Sequence, residues 1–183
     1  MSNIWLTSDT HFCHNKEFIY KARGFDSIVE MKWAIIDNWN HLVKPDDIVY
    51  HLGDFVLEDI EQGIDILYML HGKIRLAIGN HDTENRLARY KTLGLFDDIQ
   101  FGYRLKYHKK GLLLTHYPQL TGNFDSSKTY SIHGHTHAVS AFCEHDMMYN
   151  VGCDAHNCQL VAFEDMIREI DEHKSKILQD KNN

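Results

Sequence analysis

Chemistry is densest between Ser131 and His137, which reads Ser-Ile-His-Gly-His-Thr-His. Any one of its histidines alone would read as a hydrogen-bonded or surface residue. Three on alternate residues beside a glycine are hard to explain as packing, and neutral imidazole is the commonest metal donor at cellular pH. Alternation along a strand would point His133, His135 and His137 to one side, unless Gly134 breaks the strand with a turn that only glycine tolerates. The stretch is read as a metal-ligand strand end, and it needs partners. With 14 histidines in 183 residues, those partners have to be chosen by context.

The context is a series of short apolar runs that end alike. Ile4, Trp5 and Leu6 make a brief strand ending in Ser8, Asp9, Thr10 and His11. A carboxylate and an imidazole two residues apart there occupy the edge where open α/β sheets build their sites. Asp47 to Leu52 is a second strand, ending in Gly53 and Asp54, and Ile74 to Ile78 a third, running into Gly79, Asn80, His81 and Asp82. Leu112 to Leu114 ends in Thr115, His116 and Tyr117, and Tyr130 to His133 leads into the histidine stretch. Taken singly, Gly-Asp or Gly-Asn after a strand is an ordinary turn; repetition is what favours ligands. Met147 to Val151 is a further strand, before Gly152 and Asp154.

Helices must carry the chain between these strands. Ser27 and Glu30 have capping-box spacing, and Ile28, Met31, Ile35, Ile36, Trp39 and Leu42 recur at helical intervals until Pro45. A second helix is expected from about Asp59 to Leu70 with Ile60, Ile64, Leu67 and Tyr68 on its inner face, and a third from Thr83 to about Leu93. Phe101, Tyr103, Leu105 and Tyr107 alternate with polar residues, as a strand with one buried face does, and Lys109 to Gly111 turns it back as a hairpin. Val161 to about Leu178 closes the chain as a helix with Met166, Ile167 and Ile170 inward. Phe12 to Phe25 has no period and reads as a loop at the rim of the site.

Composition bounds the function. A hydrophobic content of 43% with 11% aromatics predicts one folded domain over residues 1–183. No run approaches the ~18 apolar residues of a membrane span, and Met1 to Leu6 lacks a secretory pattern, so a cytoplasmic protein with no membrane partner is expected. Cys13, Cys143, Cys153 and Cys158 form no C-x-x-C pair, which argues against a zinc ribbon or a redox motif; they read as reduced thiols. A net charge of -7 disfavours a broad nucleic-acid-binding surface. Bound cations would reverse that sign locally, which suits a small anionic substrate. Oligomeric state is left open.

The ordered set of Asp9 and His11, Gly53 and Asp54, Gly79 to Asp82, His116, and Gly134 to His137 resembles the calcineurin-like metallophosphoesterase superfamily, over residues 4 to about 154. The pattern from Asp9 to Arg23 is similar to that of its small bacterial and phage members. The resemblance implies an α/β fold, a two-layered β-sheet sandwich flanked by helices, with two divalent metals at the carboxyl ends of the strands. One metal would take Asp9, His11, Asp54 and His137, and the other Asp54, Asn80, His116 and His135. Asp54 would bridge them and His81 would be the catalytic acid.

The residue types make physical sense on their own. Two ions ~3.5 to 4 Å apart repel each other, and a shared carboxylate with a bridging hydroxide offsets that. Two metals, two aspartates and the hydroxide leave a formal charge of about +1, which attracts a phosphate ester and leans toward a diester monoanion. The mixed nitrogen and oxygen set without thiolate points to manganese, iron, nickel, cobalt or zinc. The hydroxide would attack phosphorus in line, with His81 protonating the leaving oxygen. His14, Asn15 and Arg23 are candidates for the substrate phosphate, since arginine binds phosphate bidentately; a salt bridge or loop packing is the competing use. Asp82 and Asp154 either orient ligand histidines or cap local turns. His51, His71 and His133 read as structural or exposed.

Related protein phosphatases follow the bridging aspartate with D-R-G, whereas Asp54 precedes Phe55, Val56, Leu57, Glu58 and Asp59. That counts against phosphoprotein phosphatase activity. The reading is a phosphodiesterase on a small or generic ester, with a nuclease or a phosphomonoesterase on the same metals as alternatives. A non-catalytic scaffold of the same fold, like the retromer subunit, is the rival from another class; it would be expected to have lost ligands that are all intact here.

Overall fold

The computed structural model describes residues 2–121, 128–142 and 145–180. The first half of the chain alternates strands and helices: β1 (Ile4–Thr7), α1 (Glu17–Tyr20), α2 (Ile28–Leu42), β2 (Ile48–His51), α3 (Ile60–Met69), β3 (Lys73–Ala77), α4 (Glu84–Leu93) and β4 (Asp98–Gln100). The second half runs β5 (Gly102–Tyr107), β6 (Lys110–Thr115), β7 (Thr129–His133), β8 (Met148–Asn150), β9 (Val161–Ala162) and α5 (Phe163–Asp180). They form a five-stranded sheet in the order β4-β3-β2-β1-β9 and a four-stranded sheet in the order β5-β6-β7-β8. Helical crossovers make the pairs among β1, β2, β3 and β4 parallel, because a two-residue turn can join only antiparallel neighbours. Such a turn does join β5 to β6, at His108 and Lys109.

The five-stranded sheet is buried on both faces, which is why its strands read as unbroken apolar runs. One face packs Val49, Ile74 and Leu76 against Met31, Ile35, Trp39, Ile64 and Leu67 of the helices. The other packs Leu6, Tyr50, Leu52 and Ala77 against Leu112, Leu114, Ile132 and Tyr149 of the second sheet. Phe163, Met166, Ile167 and Ile170 of α5 join that inter-sheet core. Each such side chain contributes roughly 1.5–3 kcal/mol when fully buried. The architecture is thus the two-layered sandwich with flanking helices.

Local signals hold with adjustments. The Ser27 hydroxyl accepts from the Glu30 amide at 3.1 Å, a cap worth about 1 kcal/mol, but the Glu30 carboxylate reaches the amide of Asp26 instead of closing the box on Ser27. Thr83 stands at the N-cap of α4 without a side-chain bond, and Gly94 ends that helix in the left-handed region. Short α1 lies within the expected rim loop, and β4 and β9 are additional strands. Tyr68 and Phe101 are exposed, not inward; Ile66 is buried in α3 instead. No helix among the described residues is long and apolar enough to cross a membrane. Cys13, Cys153 and Cys158 are buried free thiols; Cys143 lies outside the described residues.

Candidate metal centre

Five strand ends, those of β1, β2, β3, β6 and β7, deliver donor side chains to the edge where the sheets meet. The sheets touch there through a bridge between Ser8 and Gly152. A carboxylate oxygen of Asp9 and ring nitrogens of His11 and His137 lie within 4.8 Å of one another, as do donor atoms of Asp9, Asp54 and His116. His11 Nε2 stands 3.2 Å from His137 Nε2, 3.7 Å from Asp9 Oδ1 and 3.9 Å from Asp54 Oδ2. Across the site, His116 Nε2 stands 2.9 Å from Asn80 Oδ1, 3.2 Å from His135 Nδ1 and 3.6 Å from Asp54 Oδ2. Asp54 Oδ2 is therefore shared by two donor clusters. His81 is at their rim, half-exposed, with Nε2 3.9 Å from that same oxygen.

Each side chain is aimed by its surroundings. His116 donates Nδ1–H to the carbonyl of Leu52 at 2.8 Å, which fixes the tautomer with the Nε2 lone pair facing inward. His137 Nδ1 bonds the Asp154 carboxylate at 2.8 Å, and the Arg23 guanidinium grips both oxygens of that carboxylate. The remaining Arg23 donors reach the carbonyls of Thr10 and Asp9. Asp82 instead acts on the backbone, its carboxylate accepting from the amides of Asp54, Phe55 and Gly79. Asp54 Oδ1 accepts the amide of His81 at 2.8 Å, and Arg86 donates to the His81 carbonyl.

Backbone strain concentrates on these residues. Asp9, His11, Asp54, His135 and His137 all have positive φ, between 47° and 68°. Such conformations cost of order 1–3 kcal/mol each and persist where surrounding structure dictates them. Gly134, one candidate for a left-handed turn, has no positive φ. Its glycine is required by space: a Cβ there would collide with Ser8 and with the Asp9 carboxylate. Gly79 is confined in the same way against Asp54.

The donor set fits a cation on chemical grounds. Asp9 Oδ1 and His11 Nδ1 are buried without a hydrogen-bond partner. Burial pushes the Asp9 carboxyl up, favouring its neutral form, so a buried carboxylate here calls for positive charge. Burial, with the Arg23 guanidinium adding to it, drives His11 down to about 2, which leaves an unprotonated imidazole. His135 is pushed down chiefly by burial, whereas the Asp154 hydrogen bond raises His137. At His116, an inward lone pair faces the Asn80 oxygen at 2.9 Å; two acceptors so close need a proton or a metal ion between them. Two nitrogens 3.2 Å apart, as at His11 and His137, have the spacing of ligands bound at about 2.0–2.1 Å to one ion.

All seven expected ligands thus come together around Asp54 Oδ2. The expected phosphate contacts divide. Arg23 is committed to Asp154 and to backbone carbonyls, and its side chain is only 2% exposed; the salt-bridge use holds for it and the phosphate contact does not. His14 is half-buried, its ring 5.8 Å from that of His11, and Asn15 is exposed. His51 is buried and bonded to Thr10, and burial drives it to about 3; His133 is buried against the Gly134 carbonyl and His71 bonds the Val43 carbonyl. Sequence reasoning missed that Arg23 and Asp154 form one buttress behind His137 and that Arg86 holds the His81 turn. The partners are 131 and 5 residues apart, and only the arginine-carboxylate complementarity hinted at the first.

No family model matches the chain. It is 35% identical over 142 residues to the uncharacterized protein MJ1445 of Methanocaldococcus jannaschii, covering 75% of this chain and 71% of that one. The gene 66 protein of Mycobacterium phage L5 is 28% identical, covering 85% and 88%. A solved structure of similar shape is the protein of unknown function AQ665 from Aquifex aeolicus, with a TM-score of 0.69, 26% identity and coverage of 94% and 99%. At the identity and coverage it shares with MJ1445, the chain belongs to the family of that protein.

Proposed function

We propose that the protein is a phosphoesterase with two divalent ions, acting on phosphodiesters of modest size. The observation that carries this is the position of Asp54 Oδ2, 3.9 Å from His11 Nε2 and 3.6 Å from His116 Nε2, between one donor cluster and the other. Asp9, His11, Asp54 and His137 would hold one ion, and Asp54, Asn80, His116 and His135 the other; manganese, iron, nickel, cobalt and zinc all suit such donors. Ions bound there supply an activated water near neutral pH and positive charge for the non-bridging phosphate oxygens.

The chain's own residues do the rest. The His81 amide fixes the Asp54 carboxylate from behind, while the Asp82 carboxylate holds the Asp54 backbone amide. His81 presents Nε2 at the half-exposed rim, where it would hold a proton for the leaving oxygen, a contribution of typically ~10² to 10⁴ in rate. His14 stands beside His11, ring centroids 5.8 Å apart, and would be the side chain to meet a phosphate oxygen there. The absence of a D-R-G arginine after Asp54 favours a diester over a phosphoprotein. Metal-free protein, reloaded ion by ion and screened against mono- and diesters, tests the proposal. Hydrolysis of diesters restored by at least one of these ions is expected; no turnover of any ester with any ion would overturn it.

A further inference from the structure

A cavity of about 360 Å³ opens beside the donor clusters, with His137 as their common wall. Its volume lies at the small end of ligand pockets, about 300–1,000 Å³. Phe18, Ile19, Ala22 and Val139 are in its lining. Phe18 is 70% and Val139 83% exposed, and such side chains gain from being covered. Phe18 also meets the ring of His14 edge-on at 5.7 Å, and His14 in turn meets His11. The charged groups in the wall are already used: Arg23 and Asp154 bind each other, and the Asp154 carboxylate would repel a second anion in the cavity.

We infer that this cavity takes one organic arm of the substrate, an uncharged aromatic group of aryl or nucleobase size, while the phosphate lies on the donor clusters. The inference rests on the phosphoesterase reading and adds its substrate class: diesters with at least one aromatic arm. An aromatic ring there would meet the Phe18 ring in the offset or edge-to-face arrangements that such pairs prefer. His137, which binds Asp154 through Nδ1 and faces His11 through Nε2, would touch both the anion and the arm, so that filling the cavity and placing the phosphate are one event.

The test is binding, by calorimetry, of phenylphosphonate and of methylphosphonate to manganese-loaded protein. They share the anionic head and differ in the arm. Phenylphosphonate is expected to bind about tenfold more tightly, and the ratio to fall toward one in both Phe18→Ala and Val139→Asp. Both side chains are largely exposed, so neither change disturbs the core. Equal affinities in the unaltered protein, or a preference for phenyl that survives both substitutions, would overturn the cavity assignment alone. Failure of both phosphonates to bind would overturn the phosphoesterase reading and this one with it.

Discussion

The two donor clusters that share Asp54 are built by different means. On one side His116 is fully buried and is aimed by a backbone carbonyl, that of Leu52, which no substitution of a side chain removes. On the other, His137 is exposed and is aimed by Asp154, which is itself held by Arg23. A carbonyl of the strand makes a fixed cluster; a relay of two side chains makes an adjustable one. The adjustable cluster also borders the apolar cavity. On the two-ion proposal, affinity on the Asp9 side would depend on a buttress outside the ligand set, and affinity on the Asn80 side on the sheet.

The largest break in this comparison is Asp54→Asn, which disables both clusters together. Diester hydrolysis should fall at least as far as the ~10² to 10⁴ that loss of an acid-base group costs, with metal analysis showing both ions weakened. Next, His81→Asn should reduce turnover by about 10²–10⁴ while leaving metal content unchanged; unaltered turnover would remove His81 from its role. Chelation affects stability: at ion concentrations 100 times the dissociation constant, each bound ion should stabilise the fold by about 2.7 kcal/mol, readable as a fall in the melting temperature on adding a chelator. The smallest change separates the clusters. Asp154→Asn should weaken metal affinity by about 10–100-fold on the Asp9 side alone, seen as two-phase metal binding in which only one phase shifts. Equal weakening of both phases would refute the distinction.

Sequence carried the frame a long way, because the strand ends were marked by Gly, Asp, Asn and His at the close of apolar runs, and a parallel sheet buried on both faces must read that way. It was poorest where a few residues act over distance. Two-residue β9 exists only as a pair with β1, and no periodicity can announce it. Tyr68 and Phe101 fit apolar patterns yet face solvent, as much apolar surface does in folded proteins. At Gly134 sequence left strand and turn both open: the strain sits on His135 and His137, and the glycine makes room for Ser8 and Asp9. Arg23, rich in donors, matched a phosphate contact by type alone, and its actual partners became visible only once 131 residues of chain had folded back onto it. Asp82 and Asp154, indistinguishable in sequence, turned out to act on backbone and on histidine respectively.

The most direct measurement is an anomalous difference map from crystals grown with manganese. Two peaks are expected, one toward His11 and His137 and one toward His116 and Asn80, with Asp54 Oδ2 in contact with both. A single peak at full occupancy, or two peaks that do not share Asp54, would contradict it.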